Sequence, residues 1–330
     1  MTSADTQAII SEINSQFSEA VQILGKSRAT RTRIEGVSSG SISLNKALSG
    51  HPLVGYAWGR IVEIFGPEQS GKTTLALHAI REAQRLGVAT AFVDVEHALD
   101  PTYAASIGID LDEMMFNQPM SGDQALDVVA GLIKAGTKLI VVDSVAALTP
   151  QSEVNSGMGN SQIGSQARLL SNALRKMVAL VSVNSATVIF LNQIRMKIGV
   201  MFGNPETTSG GNAIKFYSSY RLDVRSPRKG ATTEKSLTGD SVETGIDSNV
   251  KVIKNKLYPP FRKATVHIEY GKGIDKYVDL ASYLLKYYGD GKRTTELDKS
   301  FNKKQVIAML QSSADYRKQI LEILKKEKPQ

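Results

Sequence analysis

The chain has 330 residues, 42% of them hydrophobic and 22% charged, which suits one large globular domain or two ordinary ones. It has no cysteine, so disulfides, cysteine-ligated zinc and a cysteine nucleophile are excluded, and no apolar run approaches the ~20 residues that cross a bilayer. The formal net charge of +8 suits a polyanionic partner without identifying one. Asp5, Glu12 and Glu19 with no early lysine or arginine are unlike a secretory signal, so a soluble, cytoplasmic protein without a membrane partner is expected.

Residues 5–24 space Ile9, Ile13, Phe17, Ala20 and Leu24 three or four apart, which predicts a helix with a narrow apolar stripe. A basic connector follows, with Lys26, Arg28, Arg31 and Arg33. A helix on such a tether can fold back on its own core or dock on another subunit. From residue 42 to about 270 the pattern alternates. Runs at 60–65, 90–94, 139–143 and 187–191 read as buried strands, and 73–86, 123–135 and 166–183 as helices. This predicts an α/β fold with a mostly parallel twisted sheet, helices on both faces and ligands at the C-terminal strand ends. After 221–225 a Gly/Ser/Thr/Lys-rich stretch, 226–240, reads as a loop, and 249–254 and 264–270 as two further strands. From 275 the pattern turns helical, at 277–287, 303–310 and 316–326. Residues 286–330 hold eleven basic and six acidic side chains, which suits either a solvated helical face or a DNA contact. The expected division is 1–36 as helix and linker, 37–274 as core, and 275–330 as a small α-rich C-terminal domain.

Gly66-Pro67-Glu68-Gln69-Ser70-Gly71-Lys72-Thr73 fits G-x-x-x-x-G-K-[ST] between a strand and a helix, the context of a phosphate-binding loop. Glycines let backbone N–H groups turn toward phosphate oxygens, and the following helix presents its positive end. Lys72 would neutralise phosphate charge and Thr73 would hold Mg²⁺ through its hydroxyl, with Thr74 next in the nucleotide-binding set. The apolar run ending in Asp143 matches a second Mg²⁺-positioning motif, weak alone and stronger with the loop upstream. Hydrolysis of ATP also needs a group that orients or deprotonates water. Glu96, just beyond the strand at 90–94, lies at the expected sheet edge; its alternative is an exposed loop carboxylate.

These residues, read together, resemble a family. GPEQSGKTT (66–74), VEHALDPTY (95–103), LIVVDSVAALTP (139–150), LNQIRMKIGVMFGNPETTSGG (191–211), NAIKFYSSYRLD (212–223) and KVIKNK (251–256) are similar to bacterial RecA nearly residue for residue, in register from about 38 to 274. The resemblance implies a P-loop NTPase core with ATP and Mg²⁺, and an ATP-dependent homologous recombinase. Such a protein forms helical filaments on single-stranded DNA and exchanges strands with homologous duplex, with DNA-stimulated ATP hydrolysis. It gives Glu96 the water-activating role and Asp100 and Tyr103 the adenine. Gln193 becomes the γ-phosphate sensor, and Lys254 and Lys256 a pair that reaches the neighbouring subunit's ATP. Tyr270, at the end of a strand-like run, is counted with the nucleotide contacts. The N-terminal helix and Phe216 would lie at the subunit interface. A self-cleaving repressor and a single-strand-binding protein are the further partners implied.

Two loops, at about 155–164 and 192–210, would bind DNA. Arg168, Arg175, Arg195 and Lys197 bring charge, Gly210 and Gly211 bring backbone N–H groups, and Gly199 and Asn212 are included with them. Met196, Ile198 and Val200, with Ile163 in the first loop, would wedge between bases; the residues alone equally allow these side chains to tuck into the core. Gln162 and Ile163 depart from the family's more usual His-Met pair, and Gln69 is a changed P-loop position. Beyond 275 the match is faint, and the common acidic tail is replaced by Lys325-Lys326-Glu327-Lys328-Pro329-Gln330. That predicts readier engagement of duplex DNA and leaves a phage or mobile-element source open. Two other classes compete: a ring-forming motor such as a helicase, which microscopy separates from filaments, and an ATP-switched assembly factor, which the intact Lys72, Thr73, Glu96 and Asp143 oppose.

Overall fold

The computed structural model describes residues 3–17, 21–23, 34–156, 164–197, 199, 203–227, 231–235, 241–290 and 301–327. They fall into two units, Met1–Ile34 and Glu35–Gln330. In the first, helix α1 (Ser3–Phe17) carries the expected stripe, with Ile9 43% and Phe17 65% exposed. The expected extension to Leu24 fails, because residues 21–23 are irregular. Asn14 supplies the reason: its carboxamide accepts from Val21 N and donates to Val21 O, each at 2.9 Å, drawing the chain out of the helical path.

The second unit is built on an eleven-stranded sheet. A small separate ribbon, β1 (Gly36–Val37) with β2 (Tyr56–Ala57), flanks helix α2 (Ile42–Ser49). The parallel half comprises β3 (Ile61–Gly66), β4 (Thr90–Asp94), β5 (Met114–Asn117), β6 (Leu139–Asp143), β7 (Thr187–Met196) and β9 (Tyr220–Arg225), ordered β9-β3-β7-β6-β4-β5. β3 and β4 are buried at every position, as strands covered on both faces must be. Helices α3 (Lys72–Arg85), α4 (Pro101–Ile107), α5 (Gly122–Lys134), α6 (Gln151–Val154) and α7 (Ser165–Asn184) connect them. Ser121 starts α5 by accepting from Gln124 N. Val93, Val142 and Phe190 from the sheet pack on Leu126, Leu170 and Leu174 from α5 and α7.

The other half is antiparallel. β8 (Glu206–Thr208) pairs with the end of β7; after α8 (Ala213–Tyr217) and β9 come β10 (Ala231–Lys235), β11 (Ser241–Asn255), β12 (Lys263–Glu269) and β13 (Gly273–Ile274). Two expectations change here. The stretch 226–240, read as loop, contains β10 in register with β11, because a short polar segment with two threonines gains backbone partners that its composition does not advertise. The expected DNA-binding stretch at 192–210 begins and ends in an antiparallel β7–β8 hairpin: β7 runs on through Arg195 and Met196, which pair with Thr207 and Glu206. Residues 157–163, with Gln162 and Ile163, and positions 198 and 200–202, with Ile198 and Val200, lie outside the described residues, and with them the wedge readings at Ile163, Ile198 and Val200.

Helices α9 (Lys276–Tyr287), α10 (Lys303–Ser312) and α11 (Ala314–Lys326) gather Tyr283, Leu284, Val306, Leu310, Ile320 and Leu324 into one buried cluster that also meets Ile42 of α2. Glu327 fastens the end of α11. It accepts from Lys46 Nζ at 2.7 Å and from the hydroxyls of Tyr283 and Tyr288 at 2.8 and 2.6 Å. Among the described residues no helix is long and apolar enough to cross a membrane.

Candidate nucleotide site and its link to a basic hairpin

The C-terminal ends of β3, β4, β6 and β7 converge on one edge of the sheet. β3 delivers residues 66–71, and Gly71 caps α3 with φ 93°. The left-handed conformation favours glycine, and a Cβ there would lie 2.5 Å from Ile268 Cδ1, which would have to shift. Gln69 also takes a positive φ, 56°. Such left-handed turns point consecutive N–H groups inward, the geometry that receives phosphate oxygens. Ser248 Oγ of β11 donates to Ser70 O at 2.7 Å and braces the loop from behind.

Lys72 Nζ donates across the loop to Pro67 O at 2.6 Å. Burial lowers its pKa, while the carboxylates of Asp143, Glu96 and Glu68 pull the other way. Thr73 Oγ1 donates to Asp143 Oδ2 at 2.9 Å. Burial raises Asp143 to about 6, against the lowering effect of the Thr73 bond. A partly desolvated carboxylate beside a hydroxyl suits a hard cation. Among the described residues no group of three or more acidic, histidine or cysteine side chains forms a closed cage. That donor set fits Mg²⁺, which keeps waters and phosphate oxygens among its ligands.

Glu96 stands on a loop that β4 and β6 hold from two sides. Val95 N and Glu96 N both donate to Asp143 O, at 2.7 and 3.0 Å. Asp94, buried at the end of β4, accepts from Ala98 N, Leu99 N and Gln118 Nε2. The Glu96 carboxylate then accepts from Ser144 Oγ and, at 2.8 Å, from Gln193 Nε2. Asp94 and Ser144 went unnamed in the reading of the sequence. Their signal was present: TAFVD ends in an acid as LIVVD does, and Ser144 follows that second acid.

The expected base-binding pair takes two positions. Asp100 caps α4, accepting from Thr102 N and Tyr103 N at 2.8 and 3.2 Å. Tyr103 OH meets Thr74 Oγ1 at 2.9 Å, which ties α4 to α3 beside the loop, and burial raises the Tyr103 pKa. Tyr270, half exposed just after β12, donates its N–H to Thr244 O.

Gln193 sits where β7 leaves the sheet, so one side chain joins Glu96 to the β7–β8 hairpin. Arg195, Met196 and Lys197 are exposed on that hairpin, Met196 by 63%. Gly210 closes it with φ 81°, where a Cβ would strike Leu170 Cδ2 at 2.6 Å. Gly199, Gly211 and Asn212 are exposed nearby in sequence, and Arg168 and Arg175 are exposed along α7. Arg175 donates to Asn172 Oδ1 at 3.2 Å.

Lys254 and Lys256 lie elsewhere. Lys254 Nζ donates to Lys215 O and Phe216 O at 2.5 and 2.9 Å, and Lys256 Nζ to Phe216 O at 3.3 Å. They cap the C-terminal end of α8, where carbonyls attract cations. Burial, then the neighbouring Lys256 and Arg221, lower Lys254 to about 8. β11 passes the phosphate loop at Ser248, and six residues further the strand has travelled ~20 Å. Phe216 beside the two lysines is 72% exposed, and an open groove is lined by Arg168, Ser171, Asn212, Phe216 and Lys256.

Comparison with known proteins gives one family. The model of the RecA N-terminal domain matches residues 4–275. Protein RecA of Borrelia hermsii is 53% identical over 257 residues, spanning 77% of this chain and 69% of that protein. Protein RecA of Trichodesmium erythraeum is 48% identical over 298 residues, 88% of this chain and 80% of the relative. Protein RecA of Cereibacter sphaeroides is 50% identical over 281 residues, 85% and 79%.

Proposed function

The chain belongs to the RecA family, and from that premise we propose that it is an ATP-dependent homologous recombinase whose nucleotide site drives a filament on single-stranded DNA. Recombination, repair, DNA binding and self-association come with the family. The finer reading rests chiefly on one observation: Gln193 bonds Glu96 and belongs to the strand that becomes the basic hairpin. A site in which the water-activating carboxylate and the DNA-facing element share a side chain is suited to an ATPase that responds to DNA.

ATP would lie against residues 66–74, with its base toward Asp100 and Tyr103. Mg²⁺, held by Thr73 and Asp143, would neutralise charge on the phosphate oxygens. Lys72 exchanges its bond to Pro67 O for phosphate. In hydrolysis the water oxygen attacks the γ-phosphorus, the bond to the bridging oxygen breaks, and Glu96 takes the water's proton. Lys254 and Lys256 reach the site of an adjacent protomer, exchanging the α8 carbonyls for that protomer's phosphates. ATP at a subunit junction then favours the extended filament, and loss of the γ-phosphate weakens it. The exposed stripe of α1 and exposed Phe216 supply apolar surface for a neighbouring copy. Arg168, Arg175, Arg195 and Lys197 bind phosphates without reading sequence, and Met196 offers an apolar side chain to unstacked bases. A cytoplasmic setting, with a self-cleaving repressor and a single-strand-binding protein as further partners, completes the proposal.

The test is strand exchange between circular single-stranded DNA and a homologous linear duplex. ATP-dependent joint molecules and displaced strand are expected, together with filaments by microscopy. Closed rings that unwind duplex without pairing would favour a motor of the helicase class instead.

A further inference from the structure

Glu96 has two carboxylate oxygens, and the fold treats them differently. Ser144 Oγ and Gln193 Nε2 both donate to Oε1. Among the described residues none bonds Oε2, which leaves that oxygen to accept a proton from water. The two donors stand on unlike supports. Gln193 is carried by the strand that runs out into the basic hairpin, and in the proposed function it is the side chain that exchanges Glu96 for the γ-phosphate. Ser144 is 1% exposed and fixed at the end of β6. The carbonyl of Asp143, next to it, receives the N–H groups of both Val95 and Glu96. The backbone of Glu96 is therefore tied to Asp143 and its side chain to the adjacent Ser144.

We propose that Ser144 is the positioning residue of the hydrolytic site: its hydroxyl keeps Glu96 Oε1 in place when Gln193 lets go, so that Oε2 stays aimed at water. This rests on the assignment of Glu96 as the water-activating group. Without Ser144, departure of Gln193 leaves the exposed carboxylate free to rotate away from the reacting geometry. A nearly attacking water tolerates little of this, since misplacement by about 1 Å can cost on the order of 100-fold in rate.

The full-length chain carrying Ser144→Ala tests the role, in DNA-stimulated ATP hydrolysis alongside Glu96→Gln and the double variant. Loss of one bond to an ionised partner should lower kcat by about 10- to 100-fold. KM for ATP should stay unchanged, as should single-stranded DNA binding with a non-hydrolysable ATP analogue. In the Glu96→Gln background Ser144→Ala should add no further loss, because the two act through one group. An unchanged kcat for Ser144→Ala, with Glu96→Gln slow, overturns the positioning role alone. A fall in kcat accompanied by raised KM and lost DNA binding, or additive losses in the double variant, also overturns it. Normal turnover by Glu96→Gln removes the water-activating assignment and the proposal together.

Discussion

Asp143 carries a conflict between stability and function. Its ordinary pKa near 3.8 rises to about 6 on burial, so the folded chain holds the proton more tightly than the unfolded one. Ionising it costs stability; the cost is absent below about pH 4, grows between pH 4 and 6, and is fully present above. Asp143→Asn keeps an acceptor for Thr73 and removes that cost. It should stabilise the Mg²⁺-free protein by about 1–3 kcal/mol at pH 7, and the gain should vanish near pH 4, while ATP turnover is lost. Thermal melting across this pH range checks the sign; destabilisation at pH 7 would mean that the carboxylate is better solvated than its burial implies. Residues 66–73 were readable because phosphate binding imposes fixed types at fixed spacing. Asp94 and Ser144 were not, because what they do depends on which strand ends meet in space, and one sequence does not display that adjacency.

At the scale of elements, the alternation of strands and helices made the parallel half of the sheet legible. β4 and β6 occupy the expected residues, and α3, α5 and α7 differ by a residue or two at their ends. Pairings without an apolar signature were hidden. β8 and β10 are short polar strands that exist because β7 and β11 offer them backbone partners. The hairpin changes how the proposed DNA-binding residues would act: Arg195 is fixed in a ladder opposite Thr207, and Lys197 N donates to Pro205 O at 2.9 Å. Their charges are presented by a braced element, with less ordering to pay on binding than a free loop requires. Lys197→Ala should weaken single-stranded DNA binding about equally across sequences. It should also reduce the slope of log affinity against log salt by roughly 0.7, the value for one phosphate contact on a single strand. An unchanged salt slope would place Lys197 off the DNA path.

For the whole molecule, the placement of Lys254 and Lys256 decides how subunits cooperate. They meet α8 at the far end of the strand that braces the phosphate loop; in the proposed filament, a complete ATP site takes two copies in head-to-tail contact. Such contacts build helices when they do not close. Mixing inactive Lys72→Ala with inactive Lys254→Ala should recover part of the turnover, since some junctions then combine an intact loop with an intact lysine. No recovery at any ratio would place the lysines outside the site. The most direct test of the central claim, a nucleotide site coupled to DNA, is steady-state ATP hydrolysis with and without single-stranded DNA at rising salt. Strong stimulation by DNA that fades as salt displaces the hairpin from phosphate is the predicted result. Turnover by the folded protein that is indifferent to DNA at every salt concentration would contradict it.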